Sequence, residues 1–153
     1  MKHLYPLPIH HSWPLYERER HFELGQLFDY HSLDGDVMAE SPAVQRPGTW
    51  SCDLADNRLN WSSEVYSIFG IPDGAPVSRD EAVALYCEGS RAAMEKLRAY
   101  AIRHRRGFTL DAEIKSIWGG RRWMRLIAAP VCIGNSVVQL QGLKFLVPTE
   151  FQR

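Results

Sequence analysis

No stretch of this 153-residue chain approaches about 18 consecutive apolar residues, so nothing in it reads as a membrane-spanning helix. An excess of one charge is also missing, because 18 Lys plus Arg stand against 18 Asp plus Glu. No global field therefore favours nucleic acid or an anionic membrane surface, and neither is expected as a partner. Cysteine is scarce. Cys52, Cys87 and Cys132 are odd in number, widely spaced and without a CxxC pair. That points to reduced thiols in a cytoplasmic setting rather than to a disulfide framework. Residues 1–13, rich in His, Pro and aromatics, lack an apolar core and a small-residue cleavage site, so no export signal is expected. GxSxG, HExxH, Walker and GxGxxG patterns are all absent. Asp53, Asp56 and Glu64 fall at turns or element ends, and the Asp111/Glu113 pair falls on the strand face opposite Phe108. That face is predicted to be solvated, so the pair reads as surface and not as an acid/base couple. His3, His10 and His11 read as a solvated group in a loosely ordered arm, since zinc wants three or four converging ligands. Neither an enzyme nor a metal site is expected.

What is present is the patterning of one domain. The hydrophobic share of 45% is ordinary for a globular protein. In Gly48–Phe69, Trp50, Cys52 and Leu54 alternate with Ser51 and Asp53, and Leu59 and Trp61 flank Asn60. This is the period of two half-buried strands joined by the turn Ala55–Arg58. Ser62 or Ser63 then caps a short helix that Gly70 and Pro72 stop. Ser78 begins a second helix with Glu81 as its capping-box partner. Ser90 caps a third, with Met94, Leu97, Ala101 and Ile102 as its buried stripe and Gly107 as its end. The Arg103–Arg106 run at that end suits the helix dipole and needs no nucleic acid. Three strands follow, broken at Trp118–Gly120 and Gly134–Asn135. The order predicts an α+β domain with helices on one face of an antiparallel sheet. Ahead of it lie an arm, an amphipathic helix from Pro14 to about Tyr30, and a linker over 31–47.

At this point the chain resembles a PAS domain, of the variant found beside bacterial sensor kinases. The likeness runs over Gly48–Val147, about two thirds of the chain, with residues 1–47 as an N-terminal extension and 148–153 as a tail. It rests on GTWSCDL with LNWSSEVYSIFGI, on the Gly119-Gly120-Arg121-Arg122-Trp123 hairpin, and on the Gly134–Gly142 closing strand, in that order and spacing. The resemblance implies a five-stranded sheet with helices folded over it, often with a pocket between. It also implies a sensory or signalling role exercised through small ligands, dimerisation and protein partners. Flavin photoreceptors of the family carry a Cys in an Asn-Cys-Arg-Phe-Leu-Gln motif, which Tyr86-Cys87-Glu88-Gly89 does not match. Haem members place a His in the third helix, where this chain has Ala93–Leu97; His104 lies two turns later among arginines. Neither haem nor flavin adduct chemistry is expected, and the cofactor stays unassigned. The usual closing Asp-Ile-Thr is replaced by Val147-Pro148-Thr149, and no kinase or cyclase sequence follows, so a stand-alone member is expected.

Two functional expectations follow. In the first, the chain is a ligand-sensing module whose pocket is lined by Tyr66, Met94, Leu97, Phe108, Leu110, Met124, Leu126 and Leu140. In the second, it is a ligand-free interaction adaptor, a constitutive homodimer. The outer sheet face with Trp123 and Ile127 would otherwise be a bare apolar patch. Leu15, Phe22, Leu27 and Phe28 of the N-terminal helix are expected to cover it, from the same chain or a mate, and to form the dimer interface.

Overall fold

A computed structural model describes residues 10–23 and 46–147. Strand β1 (His10–Pro14) leads into a 3-10 turn at Leu15–Glu17 and then into α1, helical over residues 18–23. The hairpin β2 (Gly48–Asp53) and β3 (Arg58–Trp61) follows. Three helices come next: α2 (Ser63–Phe69), α3 (Arg79–Ala84) and α4 (Glu88–His104). The strands β4 (Arg106–Lys115), β5 (Arg121–Ile133) and β6 (Ser136–Leu146) complete the chain. All six strands form one sheet in the order β1-β4-β5-β6-β2-β3, with every pairing antiparallel. No helix among the described residues is long and apolar enough to cross a membrane.

Local chemistry explains most boundaries. Asn57 sits at φ 60° in the β2–β3 turn, where Asp53 and Asp56 carboxylates accept the backbone N–H groups of Ala55 and Arg58. Ser78 and Glu81 form the reciprocal capping box, as their spacing predicts. Ser62 stands at the N-cap of α2, but its side chain does not bond the helix. Its hydroxyl accepts the Thr49 N–H instead, which ties the helix start to β2. The third helix begins at Glu88, earlier than the expected Ser90 cap. Ser90 lies inside α4, and its hydroxyl accepts the Glu113 N–H of β4. The helix ends on Arg105 in the left-handed region at φ 55°, two residues before the expected Gly107.

The N-terminus differs more. Residues 10–14 are not a loose arm, and Pro14 does not start a helix. They pair with β4 as a sixth strand, from His10 opposite Leu110 to Pro14 opposite Arg106. Gly107 explains the fit. A Cβ there would overlap the Trp13 ring, which lies fully buried across it. Trp13 Nε1 donates to Thr109 Oγ1 at 3.0 Å, and His21 stacks on the indole with centroids 4.2 Å apart.

The sheet therefore separates two cores. Towards the helices, Phe108, Leu110, Met124, Leu126, Leu140 and their neighbours pack with Val65, Ile68, Phe69 and Met94. On the other face, Trp13 packs with Ile127, Ala129, Leu143 and Phe145, and Leu15 and Phe22 join it. Asp111, expected in solvent, is only 7% exposed and holds Arg125 through two hydrogen bonds of 2.7 and 2.9 Å. Alternation placed it correctly on the outer face. That face is covered, so its carboxylate is paired and not solvated. Glu113, at the far end of β4, stays half-buried 3.9 Å from Arg121.

Trp13→Ala should cost about 3–5 kcal/mol in urea denaturation, the usual range for deleting a buried aromatic ring. Gly107→Ala should also destabilise. The double variant should lose less than the sum of the two, because removing the ring frees the space that the new Cβ needs.

Candidate functional site

The site grows from the parity of β6. Leu140, Gly142 and Lys144 face the helices, whereas Leu143 and Phe145 face the N-terminal cover. Lys144 is thereby driven into the helix-side core and is only 6% exposed. Gly142 permits this arrangement, since a Cβ there would collide with the Ile127 carbonyl of β5. Among the described residues the Lys144 ammonium has four aromatic rings around it and no hydrogen-bonding acceptor. Its Nζ stands 5.2 Å from the Trp50 centroid, 5.5 Å from Trp61, 5.3 Å from Phe69 and 5.9 Å from Tyr86. Ring faces attract a cation electrostatically, so this cage offsets part of the lost hydration.

The rings are themselves fixed. Trp50 Nε1 donates to the Leu143 carbonyl at 3.3 Å. Trp61 stacks on Phe69 with centroids 5.1 Å apart and meets the edge of Tyr66. Tyr66 in turn donates its hydroxyl hydrogen to the Ala75 carbonyl at 2.7 Å. Trp61 Nε1 is buried and has no acceptor among the described residues. Burial pulls the Lys144 pKa from its usual 10.5 down to about 7; Cys52 draws it up and Arg79 pushes it further down. Burial also raises the Tyr86 phenol far above its ordinary value.

Beside Lys144 lies a cavity of about 50 Å³, lined by Trp50, Cys52, Tyr86, Met94, Phe108, Leu126 and Leu140, with Leu59, Trp61, Arg79 and Arg98 among its other walls. It is lined as well by Ala82 and Val83 of α3. Of the residues expected to line a pocket, Met94, Phe108, Leu126 and Leu140 do so. Leu110 and Met124 lie in the same core with no exposed surface, and Leu97 packs against that core, but none of the three reaches the cavity. Tyr66 instead lines an open groove of about 620 Å³ between the β2–β3 turn and the start of α3. Cavity and groove share Leu59, Trp61 and Arg79 as their common wall.

Sequence reasoning missed Lys144 and the rings around it. Lys144 shares parity with Leu140 and Gly142, and this was the one available signal. The cage joins β2, β3, α2, β6 and the segment before α4, and no spacing along the chain reveals it. Of the expected interface residues, Leu15, Phe22 and Ile127 pack together within this chain, Trp123 is half-buried on β5, and Leu27 and Phe28 lie outside the described residues.

The cavity does not fit the larger cofactors of the resembling family. About 50 Å³ is far below the roughly 300–1,000 Å³ of pockets that hold drug-sized groups. Neither Cys87, the N-cap of α4, nor His104 lines it. Among the described residues no group of three His, Cys, Asp or Glu side chains converges as a metal site.

No family model matches the chain, and no curated protein matches it. Solved structures do. The N-terminal domain of a diguanylate cyclase with a PAS/PAC sensor from Marinobacter aquaeolei superposes with a TM-score of 0.62 at 14% identity, over 69% of this chain and 98% of that one. The PAS domain of a protein from Colwellia psychrerythraea matches at 0.57 and 13% identity, over 86% and 97%. An RNA-binding light-oxygen-voltage receptor matches at 0.61 and 13% identity over 70% of this chain, which spans only 31% of that receptor.

Stability against urea should rise with pH between about 7 and 10. The unfolded chain there carries a proton on Lys144 that the folded chain has released, so the slope is at most about 1.4 kcal/mol per pH unit. Above pH 10 the sign reverses, because the unfolded Tyr86 phenol ionises while the buried one does not. The rise between pH 7 and 10 should be absent from the profile of Lys144→Met. An unchanged profile in that variant would place the lysine charge in water.

Five strands of the sheet, β2 to β6, with α2, α3 and α4 laid across one face, are a PAS fold.

Proposed function

We propose that this chain is a non-catalytic, cytoplasmic signalling module that senses a small molecule in the cavity beside Lys144 and passes its state to a partner protein. One observation supports this above others. Strands β5 and β6 contribute alternate residues to the cavity wall and to the core beneath the N-terminal segment. On β6, Leu140 and Lys144 face the cavity, while Leu143 and Phe145 bear on the cover that Trp13, Leu15 and Phe22 build. A ligand that prefers one sheet geometry thus biases how residues 10–23 sit. It can do so only to the extent of that preference. The N-terminal segment is then the output surface.

The second reading is a ligand-free adaptor that acts as a homodimer, and the small cavity favours it. The outer face is already covered by Trp13, Leu15 and Phe22 of the same chain. Self-association therefore has to use other apolar surface, such as the exposed Tyr16 beside the cover or Trp118 at the β4–β5 turn.

Native mass spectrometry of freshly purified full-length protein, with an absorbance spectrum, separates the two. Extra mass on the folded species that disappears on denaturation supports the sensor. An unadorned, colourless dimer supports the adaptor. An unadorned monomer at high concentration overturns the homodimer.

A further inference from the structure

The cavity holds an imbalance that its apolar walls make consequential. Three cations line it, Arg79, Arg98 and Lys144, and no Asp or Glu does. Arg79 is answered by Glu95 of α4. Arg98, at the exposed rim, donates to the side-chain oxygen of Asn57 at 3.4 Å, its one hydrogen bond among the described residues. Lys144 has ring faces alone, and the neighbouring Trp61 Nε1–H has no acceptor among the described residues. Each group lacking a partner is a donor. A buried donor without an acceptor is costly, so what the cavity lacks is an oxygen-bearing, negatively charged group.

The volume limits the rest of the molecule. About 50 Å³ admits roughly three to five water-sized groups. A neutral molecule of that size can give the ammonium an acceptor but no counter-charge, and a cation is repelled by it. We infer that this cavity is a binding site for a short-chain monocarboxylate, its carboxylate paired with Lys144 and its alkyl end lying against Met94, Leu126 and Leu140. This rests on the cavity being a ligand site and names the class of ligand. Leu59, Trp61 and Arg79, which separate the cavity from the open groove, form the entry.

The pairing has a proton signature. The titratable and charged groups around Lys144 and the cavity are Cys52 on β2, Arg79 on α3, Tyr86 ahead of α4 and Arg98 on α4, while Glu95 lies off the cavity and pairs with Arg79; β4, β5 and α2 present apolar residues to it. In the free protein its pKa is lowered to about 7. A bound carboxylate favours the ammonium form, so binding above that pH must take up a proton. Apparent affinity should hold steady below pH 7 and weaken above it, by up to about tenfold per pH unit.

The test is a titration of the full-length protein with sodium propionate at constant ionic strength, followed by heteronuclear NMR at pH 6 and pH 8.5. Saturable shifts are expected at the Trp61 indole N–H and around Lys144, with affinity at least tenfold weaker at the higher pH. Lys144→Met should abolish them. Ala82→Leu, which fills the cavity but keeps the lysine, should abolish them too, and each variant's own spectrum reports whether it is folded. Absence of saturable shifts at pH 6, or undiminished binding by folded Lys144→Met, overturns the inference. Propionamide binding as tightly as propionate overturns the acid class but leaves a ligand cavity standing. If Ala82→Leu binds propionate normally, the acid lies elsewhere and the site is wrong.

Discussion

Two long strands, β5 and β6, carry apolar side chains on both faces, and both faces have to be kept from water. A sheet with one wet face needs a clean alternation of apolar and polar residues. β5 and β6 do not have it: Leu126 and Ala128 alternate with Ile127 and Ala129, and Leu140 with Leu143 and Phe145 on the opposite side. The three helices after the hairpin cover one side. The other is covered by a segment that precedes the PAS-type core in the chain, anchored where Trp13 lies across a glycine of β4. The N-terminal extension is therefore part of the folded unit as far as residues 10–23 are concerned.

The same two-sided burial produces the unusual site. Had β6 been an exposed strand, Lys144 would have pointed to water. Instead its parity sends it under α2 and α3, where Trp50, Trp61, Phe69 and Tyr86 supply ring faces in place of oxygen acceptors. Ring faces are a weaker partner for an ammonium than a carboxylate, and the lowered pKa follows from that difference. Asp111 shows the contrasting solution on the opposite face. It too is buried on a strand, but Arg125 on the adjacent strand meets it with two hydrogen bonds. One face buries a charge with its counter-charge, the other buries a charge among aromatics beside a cavity. The second arrangement leaves a bonding capacity unspent, which is what a binding site requires.

The sheet also couples its two faces. Neighbouring residues on one strand belong to different cores, so a shift in strand position is felt on both sides. Packed interiors pass such shifts on because they have little free volume to absorb them.

Much of this was legible in the sequence. Period-two runs located β2 to β6, the Ser78–Glu81 box located α3, and the order of motifs identified the fold. These are local signals, set by the backbone preferences of a few adjacent residues. The N-terminal strand was not legible. His10–Pro14 has no strand period of its own, and it is extended because β4 offers an edge and Gly107 a seat for an indole. Ser62 and Ser90 have the chemistry of helix caps, yet both hydroxyls serve neighbouring strands. The sequence determined which residues lie on which side of each strand, Lys144 included. Only the tertiary structure decided that both sides are dry, and that four rings from separate elements meet around one ammonium. Burial is a property of what packs on top, and that is settled by contacts between residues far apart in the chain.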